Sequence, residues 1–259
     1  MNLFFRKIGD GPVPVIILHG LFGSCDNWLT VGKNIAAQLG PTFSVYLVDQ
    51  RNHGRSPHEA AFDYHVLAND LRDFVSQHQL TNPILVGHSM GGKVVMQYAL
   101  SYPGTFKKLV VVDIAPRPYP VHHSAIMAGL KSIDLARLQN RQEAETQLTK
   151  YEPDAGVRQF LLKNLYRNDQ NEFCWRINLT AIEQNLPLIG AEITSNYQAE
   201  EPTLFIRGDQ SKYIRDGDWA GIERLFPNAT LATIQGAGHW VQAEKPAEFT
   251  AILIRFLVQ

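Results

Sequence analysis

The chain has 259 residues, of which 45% are hydrophobic, so it is long enough to bury a sizeable core. Its 24 Lys and Arg residues nearly balance its 25 Asp and Glu residues, and a net charge of -1 gives no long-range field favouring nucleic acid or acidic membranes. Two cysteines without metal-ligand spacing, no signal-peptide pattern and no membrane-length apolar run predict a cytoplasmic protein that binds neither nucleic acid nor membrane.

The first part of the chain alternates apolar runs with helical patterns. Apolar runs at 13–18 and 43–48 each end in a polar loop that contains glycine, and a helical pattern follows each loop. A third run at 84–86 ends in Gly-x-Ser-x-Gly, again followed by a helical pattern. Continuous apolar runs are typical of parallel strands covered by helices on both faces. We therefore predict a βαβαβα unit.

The Gly-x-Ser-x-Gly turn holds Ser89 between Gly87 and Gly91, at the carboxyl end of the third predicted strand. Glycine flanks the serine because so tight a turn leaves no room for a Cβ atom. An exposed serine in this position is typical of a nucleophile. Since the motif also arises by chance, its function depends on partners elsewhere in the chain.

One more strand is predicted at 109–112, and after it the strand–helix alternation lapses. Helical patterns then fill the chain up to about residue 198, with apolar residues clustered at 127–130, 135–138, 157–165 and 179–186. An all-helical stretch of this length between strands is typical of an insertion over the sheet. Residues 116–198 are therefore expected to form a helical lid.

The strand–helix alternation resumes beyond the predicted lid. Strands are predicted at 203–207 and 229–234, and the last helix carries apolar residues at helical spacing from Phe249 onwards. We expect residues 1–115 and 199–259 to form one α/β core, a mostly parallel sheet with helices on both faces.

A candidate base follows the last predicted strand. His239 lies in a Gly-Ala-Gly-His loop, and packing in a core explains a histidine on such a loop poorly. Open parallel sheets build their sites at the carboxyl ends of strands, so His239 and Ser89 are expected to meet. His19, His53 and His88 are expected to brace the site. We find no metal-site pattern, and the predicted chemistry needs no cofactor.

Four motifs follow one another along the chain: His19-Gly20-x-x-Gly23, Asp49-x-Arg51-x-His53-Gly54-x-Ser56, Gly87-x-Ser89-x-Gly91 and Gly238-His239. In this order they resemble the α/β-hydrolase fold superfamily over the whole chain. Matches at 87–93, 112–116, 173–178 and 237–240 resemble the YbfF-type bacterial esterases and acyl-CoA thioesterases and their mitochondrial abhydrolase relatives. The resemblance implies an α/β-hydrolase fold with a helical lid after the sixth strand, and activity on short-chain esters or acyl-CoA thioesters.

The acid that would orient His239 is less clear from the motifs. In the commonest superfamily pattern it follows the seventh strand, three residues after a glycine, but Ser211 occupies that position here. Asp113, at the end of the sixth strand, and Asp209, two residues before Ser211, are the candidates. The YbfF-type resemblance favours an acid on the sixth strand, so we predict Asp113 and keep Asp209 as the alternative.

Two backbone N–H groups are predicted to form an oxyanion hole. Met90, directly after the nucleophile, supplies one, and Leu21 supplies the other, with Phe22 as the alternative. The predicted reaction is hydrolysis of carboxylic esters, or of acyl-CoA thioesters, through an acyl-enzyme on Ser89. Basic residues near the predicted mouth are candidates for contacting CoA, although surface charge explains them equally: Arg117, Arg207, Lys212 and Arg215.

Other functions remain compatible with the sequence. The same fold and catalytic residues support carbon–carbon bond hydrolysis, cofactor-free haloperoxidation and lyase chemistry, and such a chain can also serve as a small-molecule receptor with a slow triad. We predict a monomer or small homo-oligomer whose partner is a small-molecule ester or thioester. The chain length of the acyl group is not predicted.

Overall fold

The computed structural model describes residues 1–120 and 123–259. Its strands are β1 Phe5–Ile8, β2 Val13–Leu18, β3 Phe43–Val48, β4 Ile84–His88, β5 Lys108–Val112, β6 Leu165–Arg167, β7 Phe173–Trp175, β8 Thr203–Gly208 and β9 Ala229–Ile234. Its α-helices are α1 Leu29–Leu39, α2 Tyr64–Gln77, α3 Met90–Ser101, α4 Ser124–Ser132, α5 Arg141–Leu148, α6 Ala155–Leu162, α7 Leu179–Gly190, α8 Trp219–Leu225, α9 Val241–Glu244 and α10 Pro246–Val258.

Seven strands form one sheet in the order β1-β3-β2-β4-β5-β8-β9. Only β1 is antiparallel to its neighbour, and all other pairs in this sheet are parallel. The predicted α/β class with a mostly parallel sheet is therefore confirmed. The strands that the superfamily resemblance numbers sixth and seventh are β5 and β8.

The inner strands of the sheet are buried on both faces, as the continuous apolar runs predict. In β2, Ile16 and Leu18 face a core shared with α2 and α3, whereas Val15 and Ile17 face a second core shared with α1 and α10. Alternate side chains of a strand point to opposite faces, so a strand between two helical layers is apolar at every position.

Four helices, α4 to α7, and an antiparallel hairpin of β6 and β7 lie between β5 and β8. The hairpin was not predicted. The helical pattern at 135–138 is wrong, because this stretch is a turn in which Asp134 accepts hydrogen bonds from the N–H groups of Ala136 and Arg137. A local side-chain bond of this kind competes with helix formation. Within the described part of the chain, no helix combines the length and apolarity needed to cross a membrane.

Candidate active site

The turn between β4 and α3 gives Ser89 an unusual backbone, with φ 53° and ψ -119°. A Cβ atom on Gly87 would lie 2.1 Å from the carbonyl oxygen of Gly91, so only glycine allows this close approach. The N–H of Ser89 donates to the carbonyl oxygen of Val112 at 2.9 Å, which ties the turn to the end of β5. The strained turn thus holds the hydroxyl at the carboxyl edge of the sheet.

His239 joins Ser89 to Asp113 through hydrogen bonds. Its Nε2 lies 3.0 Å from Oγ of Ser89, and its Nδ1 lies 2.7 Å from Oδ2 of Asp113. Asp113 is fully buried, whereas the His239 side chain is 21% exposed. A carboxylate can only accept, so Nδ1 carries the proton and Nε2 is free to accept from the serine hydroxyl. This is the geometry in which a histidine acts as a base towards a serine.

The alternative acid, Asp209, has a different partner. Its exposed carboxylate accepts a hydrogen bond from the N–H of Gly236 at 2.7 Å and so closes the turn after β9. Asp113 lies at the end of β5, between β4 and β8, and its carboxylate is the one bonded to His239.

The two candidates for the oxyanion loop differ in what their N–H groups do. The N–H of Phe22 donates to Nε2 of His53 at 3.1 Å. His53 in turn donates from Nδ1 to the carbonyl oxygen of Arg51, and burial lowers its pKa to about 3, so the ring stays neutral and keeps an acceptor nitrogen for Phe22. Leu21 lines a small cavity together with Ser89 and Met90. The bond to His53 leaves Leu21 as the better candidate.

Three residues hold the loop of His239 in place. The ring of Tyr213 stacks on the imidazole with 3.9 Å between ring centroids and 20° between planes. Glu244 accepts from the N–H groups of Gly238 and Trp240, on either side of the histidine, at 2.6 and 3.1 Å. His88 donates from Nε2 to the carbonyl oxygen of His239 at 2.9 Å, which confirms its predicted supporting role.

Sequence reasoning missed Tyr213 and Glu244. The only signal for Glu244 was an acidic side chain one helical turn after a loop whose N–H groups need acceptors. For Tyr213 we find no sequence signal. Among the described residues, no group of three or more His, Cys, Asp or Glu side chains is placed to hold a metal ion.

Two cavities meet at Ser89. The larger, about 800 Å³, is also lined by His239, by Trp240 and by apolar residues of α6 such as Val157 and Phe160. The smaller, about 50 Å³, is lined mainly by apolar and aromatic residues and by one amine: Leu21, Met90, Lys93, Tyr64, Tyr119 and Ile189. His239 lines only the larger of the two.

Lys93 lies one helical turn after Ser89 and is almost fully buried. Its Nζ donates to the carbonyl oxygens of Arg117, at 2.9 Å, and of Ala191. These carbonyls belong to the two ends of the segment between β5 and β8, so one amine joins both ends to the helix of the nucleophile. Burial, with a smaller contribution from the nearby Arg117 cation and against the opposing effect of Glu192, lowers the pKa of Lys93 to about 7.

Replacing Lys93 should change how stability depends on pH. In the folded chain its pKa is about 7, against 10.5 ordinarily, so between these values the unfolded chain binds more protons and the free energy of unfolding rises with pH. Below about pH 7 the ammonium is present in both states and the cost of burying it is fully expressed. Tyr64 and Tyr119 face the amine, but burial raises the pKa of both phenols, so they stay neutral across this range.

Lys93→Met should remove this rise. Above about pH 7.5 the free energy of unfolding of wild type should therefore increase, relative to that of the variant, by on the order of 1 kcal/mol per pH unit. Urea unfolding at several pH values between about 6 and 9 measures the difference. The exposed Lys107→Met is the matched control and should follow wild type. A difference in the free energy of unfolding between wild type and Lys93→Met that stays constant across this pH range would contradict the prediction.

A parallel sheet whose strand ends bring a serine, a histidine and an aspartate into one hydrogen-bonded chain defines a class of hydrolases. The family model for the alpha/beta hydrolase fold matches residues 13–246. The chain belongs to this family. It is 41% identical over 262 residues to the sn-1-specific diacylglycerol lipase ABHD11 of Danio rerio, covering 98% of the chain and 80% of that protein.

Two further proteins are similar over nearly the whole chain. Esterase YbfF of Escherichia coli K12 is 34% identical, with 94% of the chain and 92% of that protein covered. A solved structure described as a marine microorganism esterase is 44% identical, with a TM-score of 0.93 and 98% of each chain covered. The YbfF-like relationship expected from the motifs is thereby confirmed.

Proposed function

We propose that the chain hydrolyses carboxylic esters through an acyl-enzyme, with Ser89 as nucleophile, His239 as general base and Asp113 as the acid that orients the base. The observation that carries this proposal is the continuous hydrogen-bonded chain from Ser89 through His239 to Asp113. Relatives named as lipase and esterase, and the esterase structure matched over nearly the whole chain, support esters as the substrate class. The chain is a serine esterase.

In the first half of the reaction, Oγ of Ser89 attacks the ester carbonyl while its proton passes to Nε2 of His239. The negative charge that develops on the carbonyl oxygen is stabilised by the N–H groups of Met90 and Leu21. His239 then gives its proton to the leaving alcohol. Water, activated by the same histidine, releases the acid from Ser89 in the second half.

The two parts of the substrate occupy different cavities. The leaving alcohol takes its proton from His239, so it occupies the larger cavity, the one His239 lines. The acyl group then occupies the smaller cavity, whose volume of about 50 Å³ has room for roughly two to four carbons. Residues 116–198 act as a lid over both, since Phe160 lines the larger cavity and Ile189 the smaller.

Oxygen esters of uncharged alcohols fit the larger cavity better than CoA thioesters do. Glu152, Asp154 and Glu244 line it, against a single lysine, Lys163, and CoA carries several phosphate charges. Two of the basic residues considered for CoA are engaged elsewhere, Arg117 in an ion pair with Asp218 at 3.1 Å and Arg207 in one with Asp216 at 2.7 Å. Acyl-CoA thioesters are therefore the weaker of the two candidate classes.

A chain-length series of p-nitrophenyl esters tests the acyl site. We expect kcat/KM to be highest from acetyl to butanoyl and to fall at least about tenfold by octanoyl, because longer chains exceed the small cavity. Ser89→Ala serves as the blank. Highest activity on the longest esters would show that the acyl group lies elsewhere.

Two thioesters with the same acyl group test the charge of the larger cavity. Butanoyl-N-acetylcysteamine has an uncharged thiol portion, whereas butanoyl-CoA adds the phosphates. We expect kcat/KM for the CoA thioester to be lower by about tenfold at low salt, with the gap narrowing as salt screens the acidic lining. A higher kcat/KM for butanoyl-CoA than for butanoyl-N-acetylcysteamine would favour acyl-CoA thioesters as the substrate class.

A further inference from the structure

The oxyanion loop, residues 19–23, contains a residue in a left-handed backbone conformation. Phe22 has φ 61°, a region that bulky side chains rarely enter. Such a conformation persists where neighbouring groups hold it. The N–H of Phe22 donates to His53, so the α/β core supplies one of the contacts that hold this loop.

A second contact comes from the segment between β5 and β8. Asn164, which follows α6, donates from Nδ2 to the carbonyl oxygen of Phe22 at 2.8 Å and to that of Leu161 at 3.1 Å. Its carbonyl oxygen accepts from the N–H of Arg176 at 2.9 Å. Asn164 is almost fully buried, so water does not compete for these bonds. The side chain is therefore tied to its own segment on one side and to the oxyanion loop on the other.

Hydrogen bonds connect Asn164 to the peptide group that carries the N–H of Leu21. Asn164 bonds the oxygen of the Phe22–Gly23 peptide, and the N–H of that peptide donates to the carbonyl oxygen of Gly20 at 3.0 Å. This oxygen and the N–H of Leu21 belong to one planar peptide group. Holding the oxygen therefore fixes the direction of the N–H.

The oxygen of this peptide has a second donor. His19 donates from Nδ1 to the carbonyl oxygen of Gly20 at 2.8 Å, because its Nε2 accepts from the N–H of Gln50. Burial lowers the pKa of His19 to about 4, so the ring is neutral at neutral pH and keeps this arrangement. A Cβ atom on Gly20 would lie 3.1 Å from Cβ of Ser89. The N–H of Leu21 thus belongs to a fixed peptide group beside the reacting serine.

We propose that Asn164 is a positioning residue for the reaction, whose side chain holds the oxyanion loop so that the N–H of Leu21 points to the developing oxyanion. The inference rests on the proposed function, because Asn164 acts through the loop on the intermediate formed at Ser89. Hydrogen bonds in a chain polarise one another, so a donor on the carbonyl oxygen of Phe22 also strengthens the N–H groups further along the chain. The lid in this way completes the oxyanion hole as well as covering the cavities.

The test compares Asn164→Ala with a matched lid variant, Asn185→Ala. Asn185 also donates from Nδ2 to a carbonyl oxygen of its own segment, that of Ala181, and to one of the core, that of Ala60, but neither belongs to the oxyanion loop. Turnover of p-nitrophenyl butanoate is divided by the number of sites that a fluorophosphonate labels at completion. We expect Asn164→Ala to lower kcat per site about tenfold with KM nearly unchanged, since a misplaced donor costs less than a removed one. Asn185→Ala should stay within about threefold of wild type.

Binding of an alkyl trifluoromethyl ketone separates the oxyanion hole from the lid as a whole. Oγ of Ser89 adds to the ketone carbonyl, its proton passes to His239, and a hemiketal oxyanion forms. The alcohol made by reducing the ketone fills the same cavities without that charge. Asn164→Ala should weaken ketone binding about tenfold and alcohol binding less than about twofold. Asn185→Ala should change the two affinities by the same factor.

Asn164→Leu keeps the approximate size of the side chain, removes both donors and adds no buried charge, so it replaces the alanine variant if that one yields too few labelled sites. Loss of ketone and alcohol affinity by the same factor would overturn the inference, because the side chain would then act on binding in general. Wild-type kcat per site and ketone affinity would overturn it as well. Failure of the proposed function is separate, because there Ser89→Ala would retain turnover whatever Asn164→Ala does.

Discussion

Ser89→Ala is expected to lower kcat for p-nitrophenyl butanoate on the order of 10⁶-fold, to the limit of detection. Without Oγ no acyl-enzyme forms, and His239 has no hydroxyl to activate. The fold should persist, because the substitution removes only a hydroxyl and leaves the flanking glycines of the turn unchanged. Circular dichroism and thermal unfolding check this point. KM has no meaning for so slow a variant, so single-turnover rates are the measure.

The control for this variant is Ser132→Ala, which removes an exposed serine at the end of α4 and should leave kcat within about twofold. A fluorophosphonate should label wild type once, at Ser89, and should not label Ser89→Ala. Stoichiometric labelling of wild type without multiple turnover of any ester would favour the receptor alternative. Turnover retained by Ser89→Ala would exclude Ser89 as the nucleophile.

The elements of the sheet were predictable because their signals are local. All six predicted strands are present in the structure. The inner ones were detectable because a strand buried on both faces is an unbroken apolar run bounded by polar loops. β1 was missed because it has four residues, two of them charged, and lies at the edge of the sheet. Its charged side chains suit an edge strand but carry no apolar pattern to detect.

The segment between β5 and β8 was harder to predict for a related reason. Its helix α5 buries only Ala144 and Leu148, so it shows almost no apolar periodicity. The hairpin of β6 and β7 has three residues in each strand, too few for an alternation to stand out. Short elements that pack on a larger core draw their stability from tertiary contacts, which single-sequence patterns do not record.

In the candidate site, too, the residues in local motifs were predictable from the sequence, and the contacts that depend on the order of strands were not. Ser89 and His239 each sit in a glycine-rich turn with a recognisable pattern, and the structure brings them within hydrogen-bond distance. The choice between Asp113 and Asp209 depends on the order of strands in the sheet, which lies outside any local pattern. Tyr213 meets His239 only because β8 and β9 are neighbours, so its contact follows from the topology and from no motif.

Asp113→Asn is expected to lower kcat on the order of 10³- to 10⁴-fold. The amide that replaces the carboxylate can present an N–H to Nδ1 of His239, which then favours the tautomer with its proton on Nε2, where it cannot accept from Ser89. The charge that stabilises the imidazolium during the reaction is lost as well. Asparagine suits the site sterically, since Asp113 has φ 50° and asparagine tolerates left-handed backbone.

Asp209→Asn is the matched control, because it makes the same chemical change two residues before Ser211. Its amide oxygen can still accept from Gly236, so kcat should stay within about threefold of wild type. The two variants are compared by kcat per fluorophosphonate-labelled site, which removes any difference in folded fraction. If Asp209→Asn lost activity and Asp113→Asn kept it, the base would be oriented from the loop after β8. A large loss for Asp113→Asn alone would place the acid on β5, one strand away from the nucleophile that it serves through His239.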